Sequence, residues 1–92
     1  MSKIEKQIRV RAFGVLREVA DLNGLIEVSV LGAGTARDLK RGLEEKLERE
    51  YPDFDSSVIQ RCAVADDRDL LGEDSVLDPS RMHAILPPVC GG

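Results

Sequence analysis

In the stretch QIRVRAF, Ile8, Val10 and Ala12 alternate with Gln7, Arg9 and Arg11, the period of two expected of a strand with one buried and one wet face. LIEVSV repeats the pattern. Ile26, Val28 and Val30 alternate with Glu27 and Ser29, and Asn23-Gly24 just before them tolerate the positive φ of a turn. These segments predict two successive strands, with a short turn or helix over Val15 to Ala20 between them.

From Thr35 to Glu50 the period lengthens. Ala36, Leu39, Leu43 and Leu47 fall at helical spacing, while Arg37, Lys40, Arg41, Glu44, Glu45, Glu48 and Arg49 take the other face and read as solvated charge. Thr35 is placed to cap this helix with Asp38 three residues later, Lys40/Glu44 and Arg41/Glu45 have (i, i+4) spacing, and Pro52 prevents continuation. After an expected loop from Asp53 to Ser57, the pattern predicts a short strand over Cys62 to Ala65 and a turn at Asp66-Asp67. A weak segment around Leu70-Leu71, a second turn at Asp78-Pro79-Ser80 and a last strand over Met82 to Leu86 follow, and that strand runs into Pro87-Pro88. The order is strand, strand, helix, strand, short strand, strand. One amphipathic helix on one face of a small mixed sheet, an α+β roll, is the economical packing.

A chain of 92 residues with 42% hydrophobic residues can bury one core, so one domain is expected over residues 1–86, with residues 87–92 as an extended tail. With 3% aromatic residues and no Trp, the core must be aliphatic and base-stacking platforms have almost no raw material. The net charge of −4 also argues against nucleic acid. Residues 1–61 hold eleven basic and eleven acidic side chains, so the whole excess lies in residues 62–92, where six acids face only Arg68 and Arg81. An acidic surface beside the tail would steer the domain toward a basic partner; solvated acidic loops are the plainer alternative. Cys62 and Cys90 are too few for a disulfide scaffold, and no apolar run near the N-terminus suits a signal peptide or a membrane span, so a cytoplasmic location without membrane partners is expected.

The search for chemistry among side chains yields little. Gly32-Ala33-Gly34 lies between a strand and a helix, as a phosphate-binding loop would, but the third small position of that motif falls on Arg37. His83 is the lone histidine, with strand neighbours that suit packing or surface, and Cys62 and Cys90 lack CxxC spacing, so no metal site is expected. Cys62 reads as a small core residue. What remains is the end of PPVCGG. Pro87-Pro88 hold an extended direction as the chain leaves the domain, while Gly91-Gly92, lacking Cβ atoms, can pass a narrow channel and let another protein's groups approach the terminal carboxylate.

On these residues the chain resembles the ubiquitin-like β-grasp sulfur carriers, most closely the small subunits of molybdopterin synthase. QIRVRAFGVLREVAD is similar to that family's first strand and short helix, TARDLKRGLEEKLEREYP to its central helix, and VLDPSRMHAILPPVCGG to its closing turn, last strand and tail. The resemblance implies a β-grasp fold and a chain that is not catalytic alone. It further implies that Gly92 is adenylated by a ubiquitin-activating-like enzyme using ATP and Mg, which this chain does not itself bind, and becomes a thiocarboxylate. The sulfur then passes to a pterin precursor in the large subunit, with Pro87, Pro88, Val89, Cys90 and Gly91 as the inserted tail.

The chain departs from that family in having Ile85-Leu86 where aromatic residues often precede the prolines, Asp66-Asp67 where an Asn is frequent, and Pro79-Ser80-Arg81 in place of a Gly-Asp turn. Alternatives from the same tail are a sibling carrier for thiamine, cysteine or another sulfur metabolite, a protein modifier joined through Gly92 to lysines, and a non-covalent interaction module. Cys90 reads as a small tail residue; the sharper hypothesis is a cyclic acyl disulfide with the thiocarboxylate. Apolar groups near Phe13, Leu70 and Ile85 are candidates for docking partners or for the core, and the sequence does not separate the two.

Overall fold

The computed structural model describes residues 5–14, Leu16 and residues 24–87. Five strands and one long helix occur in the expected order: β1 (Glu5–Ala12), β2 (Leu25–Leu31), α1 (Ala36–Glu50), β3 (Ala63–Ala65), β4 (Leu70–Leu71) and β5 (His83–Leu86). The strands form a single mixed sheet in the order β2-β1-β5-β3-β4. Only β1 and β5 run parallel; β1/β2, β3/β5 and β3/β4 are antiparallel. This is a β-grasp-like α+β arrangement, with α1 packed across one face.

The alternation in β1 and β2 sets the sidedness of the sheet. Ile8, Val10, Ala12, Ile26, Val28 and Val30 are buried against Leu39, Leu43 and Leu47 of α1, and His83, Ile85 and Val64 continue the same inner face through β5 and β3. Arg9, Arg11, Glu27 and Ser29 point the other way and stay exposed. Leu16, in the segment expected to form a turn or helix, is fully buried; the rest of that segment, residues 15 and 17–20, lies outside the described residues.

Thr35 and Asp38 close α1 as a reciprocal capping box: the Thr35 hydroxyl accepts from the Asp38 N–H at 3.3 Å, and an Asp38 carboxylate oxygen accepts from the Thr35 N–H at 3.3 Å. The preceding N–H groups are also used. Ala36 donates to the Ser75 carbonyl at 2.9 Å and Arg37 to that of Glu73 at 3.0 Å, so the β4–β5 connection plugs the helix start.

Three expectations are corrected. The loop assigned to Asp53–Ser57 gives way at Ser56 to a 3-10 helix, Ser56–Arg61, which starts from Asp55 as its cap and buries Ile59. Lys40 does not sit on a solvated face or pair with Glu44. It is buried, donating from Nζ to the Gln60 carbonyl at 3.2 Å and to Glu73 at 2.8 Å. Arg41 pairs at 3.7 Å with Asp38 rather than Glu45, and the described (i, i+4) pair on the helix is Lys46–Glu50 at 3.1 Å.

Lys40 thus joins α1, the 3-10 helix and the β4–β5 connection, and its removal takes one ammonium away from both the Gln60 carbonyl and the Glu73 carboxylate. We expect Lys40→Ala to destabilise the fold by about 1–3 kcal/mol, whereas Arg41→Ala should stay within about 0.5 kcal/mol. Urea unfolding of both variants checks this; equal costs would contradict the bridging role.

Candidate functional site

The last strand, β5, positions the candidate tail. It is bonded on both sides, to β1 through Val10↔His83, Arg11↔Ala84 and Ala12↔Ile85, and to β3 through Ala63↔Leu86, Val64↔Ile85 and Ala65↔Ala84. The chain passes from Leu86 directly into Pro87, which is half-buried. Pro88, Val89, Cys90, Gly91 and Gly92, the remaining predicted site residues, lie outside the described residues.

The face of the sheet opposite α1 carries an apolar region around this exit. The registers align Ala84 of β5 with Ala65 of β3 and Leu70 of β4 on that face, with Arg11 of β1 on the other side of Ala84. Leu70 is 70% exposed and Phe13, just past β1, is 40% exposed. Ile85 does not belong with them: it is fully buried on the helix side, because the alternation along β5 turns His83 and Ile85 inward and leaves Ala84 and Leu86 on the outer face.

The acidic residues of the C-terminal third are largely used within the domain. An Asp66 carboxylate oxygen accepts from the Arg68 and Asp69 N–H groups, each at 2.8 Å, and these bonds hold its carboxyl below the usual carboxylate range. Asp78 accepts from the Ser80 hydroxyl at 2.7 Å and the Ser80 N–H at 3.0 Å, with the same consequence. Arg81 lies among three of the acids, 2.8 Å from Asp67, 3.6 Å from Asp78 and 3.9 Å from Asp66. Glu73 and Asp74 engage Arg37 and Lys40. Five of the six acids, Asp69 being the exception, therefore act as turn formers or ion-pair partners, which reduces the field they could offer a basic partner.

The other sequence candidates are structural. At Gly34, φ is +72 and a Cβ would fall 2.7 Å from the Lys6 ammonium, which donates to the Leu77 carbonyl at 2.9 Å. The Gly32-Ala33-Gly34 turn thus packs around a lysine, and the helix start beyond it has its N–H groups already engaged, so a phosphate finds no free cradle there. Cys62 is buried with its Sγ 3.3 Å from the Val58 carbonyl, and burial pushes its thiol up, away from a reactive thiolate. His83 is 1% exposed and its Nδ1 has no hydrogen-bond partner. Burial pushes its imidazole below the ordinary range against the opposing pull of Asp66. Among the described residues no group of three His, Cys, Asp or Glu side chains is arranged to hold a metal, and no helix is long and apolar enough to cross a membrane.

With this geometry in view, the chain can be compared with known proteins. No family model matches the sequence. No curated protein matches it either. Among solved structures it is similar to the solution structure of the Haloferax volcanii HVO 2177 protein, with 24% sequence identity over 96% of this chain and 88% of that one, and a TM-score of 0.65. At that identity the likeness concerns the fold.

The buried histidine makes stability depend on pH with a definite sign. Because the unfolded chain binds a proton at His83 before the folded one does, stability should fall as pH drops below about 6.5. A second decline should begin below about pH 4, as the lowered Asp38, Asp66 and Asp78 carboxylates lose the advantage they hold at neutral pH. Urea midpoints across this range should show both stages, and His83→Leu should abolish the first while keeping the second.

Proposed function

We propose that this chain is a sulfur carrier of the β-grasp class, the small subunit of a molybdopterin synthase, acting through the carboxylate of Gly92. The observation that carries the reading is the attachment of the tail. β5 is the central strand, with hydrogen-bonded neighbours on both sides, and leads without an intervening loop into Pro87, so whatever follows is mounted on the middle of the sheet. A reactive end that must enter another protein's active site benefits from such a mount, because less orientational freedom is lost on docking.

The chemistry asks little of the domain itself. A carboxylate is a poor acyl donor until a leaving group is supplied. Attack of the Gly92 carboxylate on the α-phosphorus of ATP, with pyrophosphate leaving, gives an acyl adenylate. Hydrosulfide then displaces AMP and loses its proton, or a persulfide displaces AMP and the resulting acyl disulfide is cleaved by a reducing thiol, to leave the thiocarboxylate, which is ionised at neutral pH and nucleophilic toward a pterin precursor. The ATP and Mg belong to the activating partner, and stabilisation of the transferring groups comes from the partners' active sites. The apolar outer face near Phe13 and Leu70 gives both partners a surface to dock against, beside the exit of the tail.

The test is tandem mass spectrometry of the C-terminal peptide after co-expression with a matching activating enzyme. A thiocarboxylate localised to Gly92 is the expected result, with transfer to a pterin precursor when the large subunit is added. Loading without pterin transfer would point to a sibling carrier, and isopeptides from Gly92 to lysines would point to a protein modifier. Gly91→Ile, or one bulky residue added after Gly92, should abolish loading while leaving the circular dichroism spectrum unchanged. Cys90→Ala should leave the lifetime of the thiocarboxylate unchanged; a longer lifetime for the variant when peroxide is added as the two-electron oxidant would instead point to oxidation of the Cys90 thiol and the thiocarboxylate to a cyclic acyl disulfide.

A further inference from the structure

The parallel register pairs Val10 with His83, Arg11 with Ala84 and Ala12 with Ile85; carried two residues further, it brings Gly14 level with Pro87. The ladder stops there for two reasons. Pro87 has no N–H to donate, and Gly14, at φ +62, turns the chain away from the sheet in a conformation that disfavours residues with a Cβ. The two residues also touch. A Cβ at Gly14 would fall 3.0 Å from the Cγ of Pro87 and 3.7 Å from its Cβ, so the pyrrolidine ring fills the space a side chain would take.

We propose that Gly14 is a positioning residue for the tail, a seat for the Pro87 ring that sets the direction in which the chain leaves β5; this rests on the reading of Gly92 as the reactive end. A proline ring cannot rotate out of the way as an ordinary side chain does. Its φ is locked, and because residue 88 is also proline, the ψ of Pro87 is confined to the extended region. Pressure on the ring therefore passes into the backbone. The five residues beyond Pro87 reach at most about 17 Å, so a 20° change at the seat moves the tip by up to about 6 Å on the same geometry. A misplacement of about 1 Å can cost a hundredfold in a positioned reaction.

The experiment combines Gly14→Asn, which keeps a residue tolerant of the left-handed region while adding a Cβ, with Pro87→Ala, which removes the contacting Cγ. Spin labels at Cys90 and at Glu48→Cys, in a Cys62→Ala background, report the direction of the tail by pulsed electron resonance. Thiocarboxylate formation is followed on unlabelled chains. Gly14→Asn should shift the mean distance by several ångströms and lower kcat/KM about tenfold, mainly through KM, since only the fraction of chains with a correctly directed tail can dock. In the Pro87→Ala background the same change should leave the mean distance unshifted and alter kcat/KM by no more than twofold. Pro87→Ala alone should broaden the distance distribution.

A Gly14→Asn distribution identical to that of the wild type, equal effects in both backgrounds, or an unbroadened Pro87→Ala distribution would each overturn the seat. Because Pro87→Ala leaves Gly14 intact, its distribution decides the matter even where Gly14→Asn does not fold. Distances that shift as expected while the wild-type chain never acquires sulfur would support the seat and reject the reading of Gly92. A loss of sulfur loading with no change in distance would retain Gly92 and overturn the seat.

Discussion

The pairing of β1 with β5 is the constraint on which the rest of the molecule depends. Among the described residues it is the one parallel pairing, and it joins segments far apart in the sequence, Val10 with His83 and Ala12 with Ile85. Antiparallel neighbours such as β1 and β2 can form across a short connection, whereas this pair closes a loop of most of the chain and must offset the entropy of doing so. The offset comes from the inner faces of the two strands. Val10, Ala12 and Ile85 are buried under α1, so the ladder and the core form together.

Polar interactions complete what that pairing begins. The connection from β4 to β5 places Leu77 in the core but leaves Val76 exposed, and it is held further by Lys40, Arg37 and the first N–H groups of α1. Arg81, among Asp66, Asp67 and Asp78, ties the turn before β5 to the turn after β3. Exposed pairs of this kind contribute little singly, and their value here is geometric, because each fixes a loop beside the central strand. Charge that looked available for a partner is thereby committed to shaping the chain's own turns.

Much of this was legible in the residue pattern, for identifiable reasons. The alternation in QIRVRAF and LIEVSV has one phase, so both strands and their buried faces followed directly. The capping box at Thr35 and Asp38 was readable because local chemistry decides it. The burial of Lys40 is masked by its charge, although it stands four residues after Ala36 and three before Leu43, within the apolar stripe. The 3-10 helix was hidden in a short polar segment, where Ile59 and Cys62 three residues apart were the available signal. In Met82 to Leu86 both faces are largely apolar, so the residue pattern leaves the phase of β5 undetermined and does not separate a docking Ile85 from a core one; the structure puts it in the core. Of the candidate site, the proline exit was legible, but its contact with Gly14 depends on a register that no local pattern encodes.

The place of β5 in the sheet also bears on when the domain becomes usable during synthesis. β1, β2 and α1 leave the ribosome first and can associate locally, but the gap between β1 and β3 stays empty until the last strand is made. A partly translated or truncated chain therefore has no central strand, and its edges at β1 and β3 remain open to mispairing. Pro87 takes its place beside Gly14 only once the sheet has closed, so on the proposed reading a partner that engaged the tail would also select for chains that have finished folding.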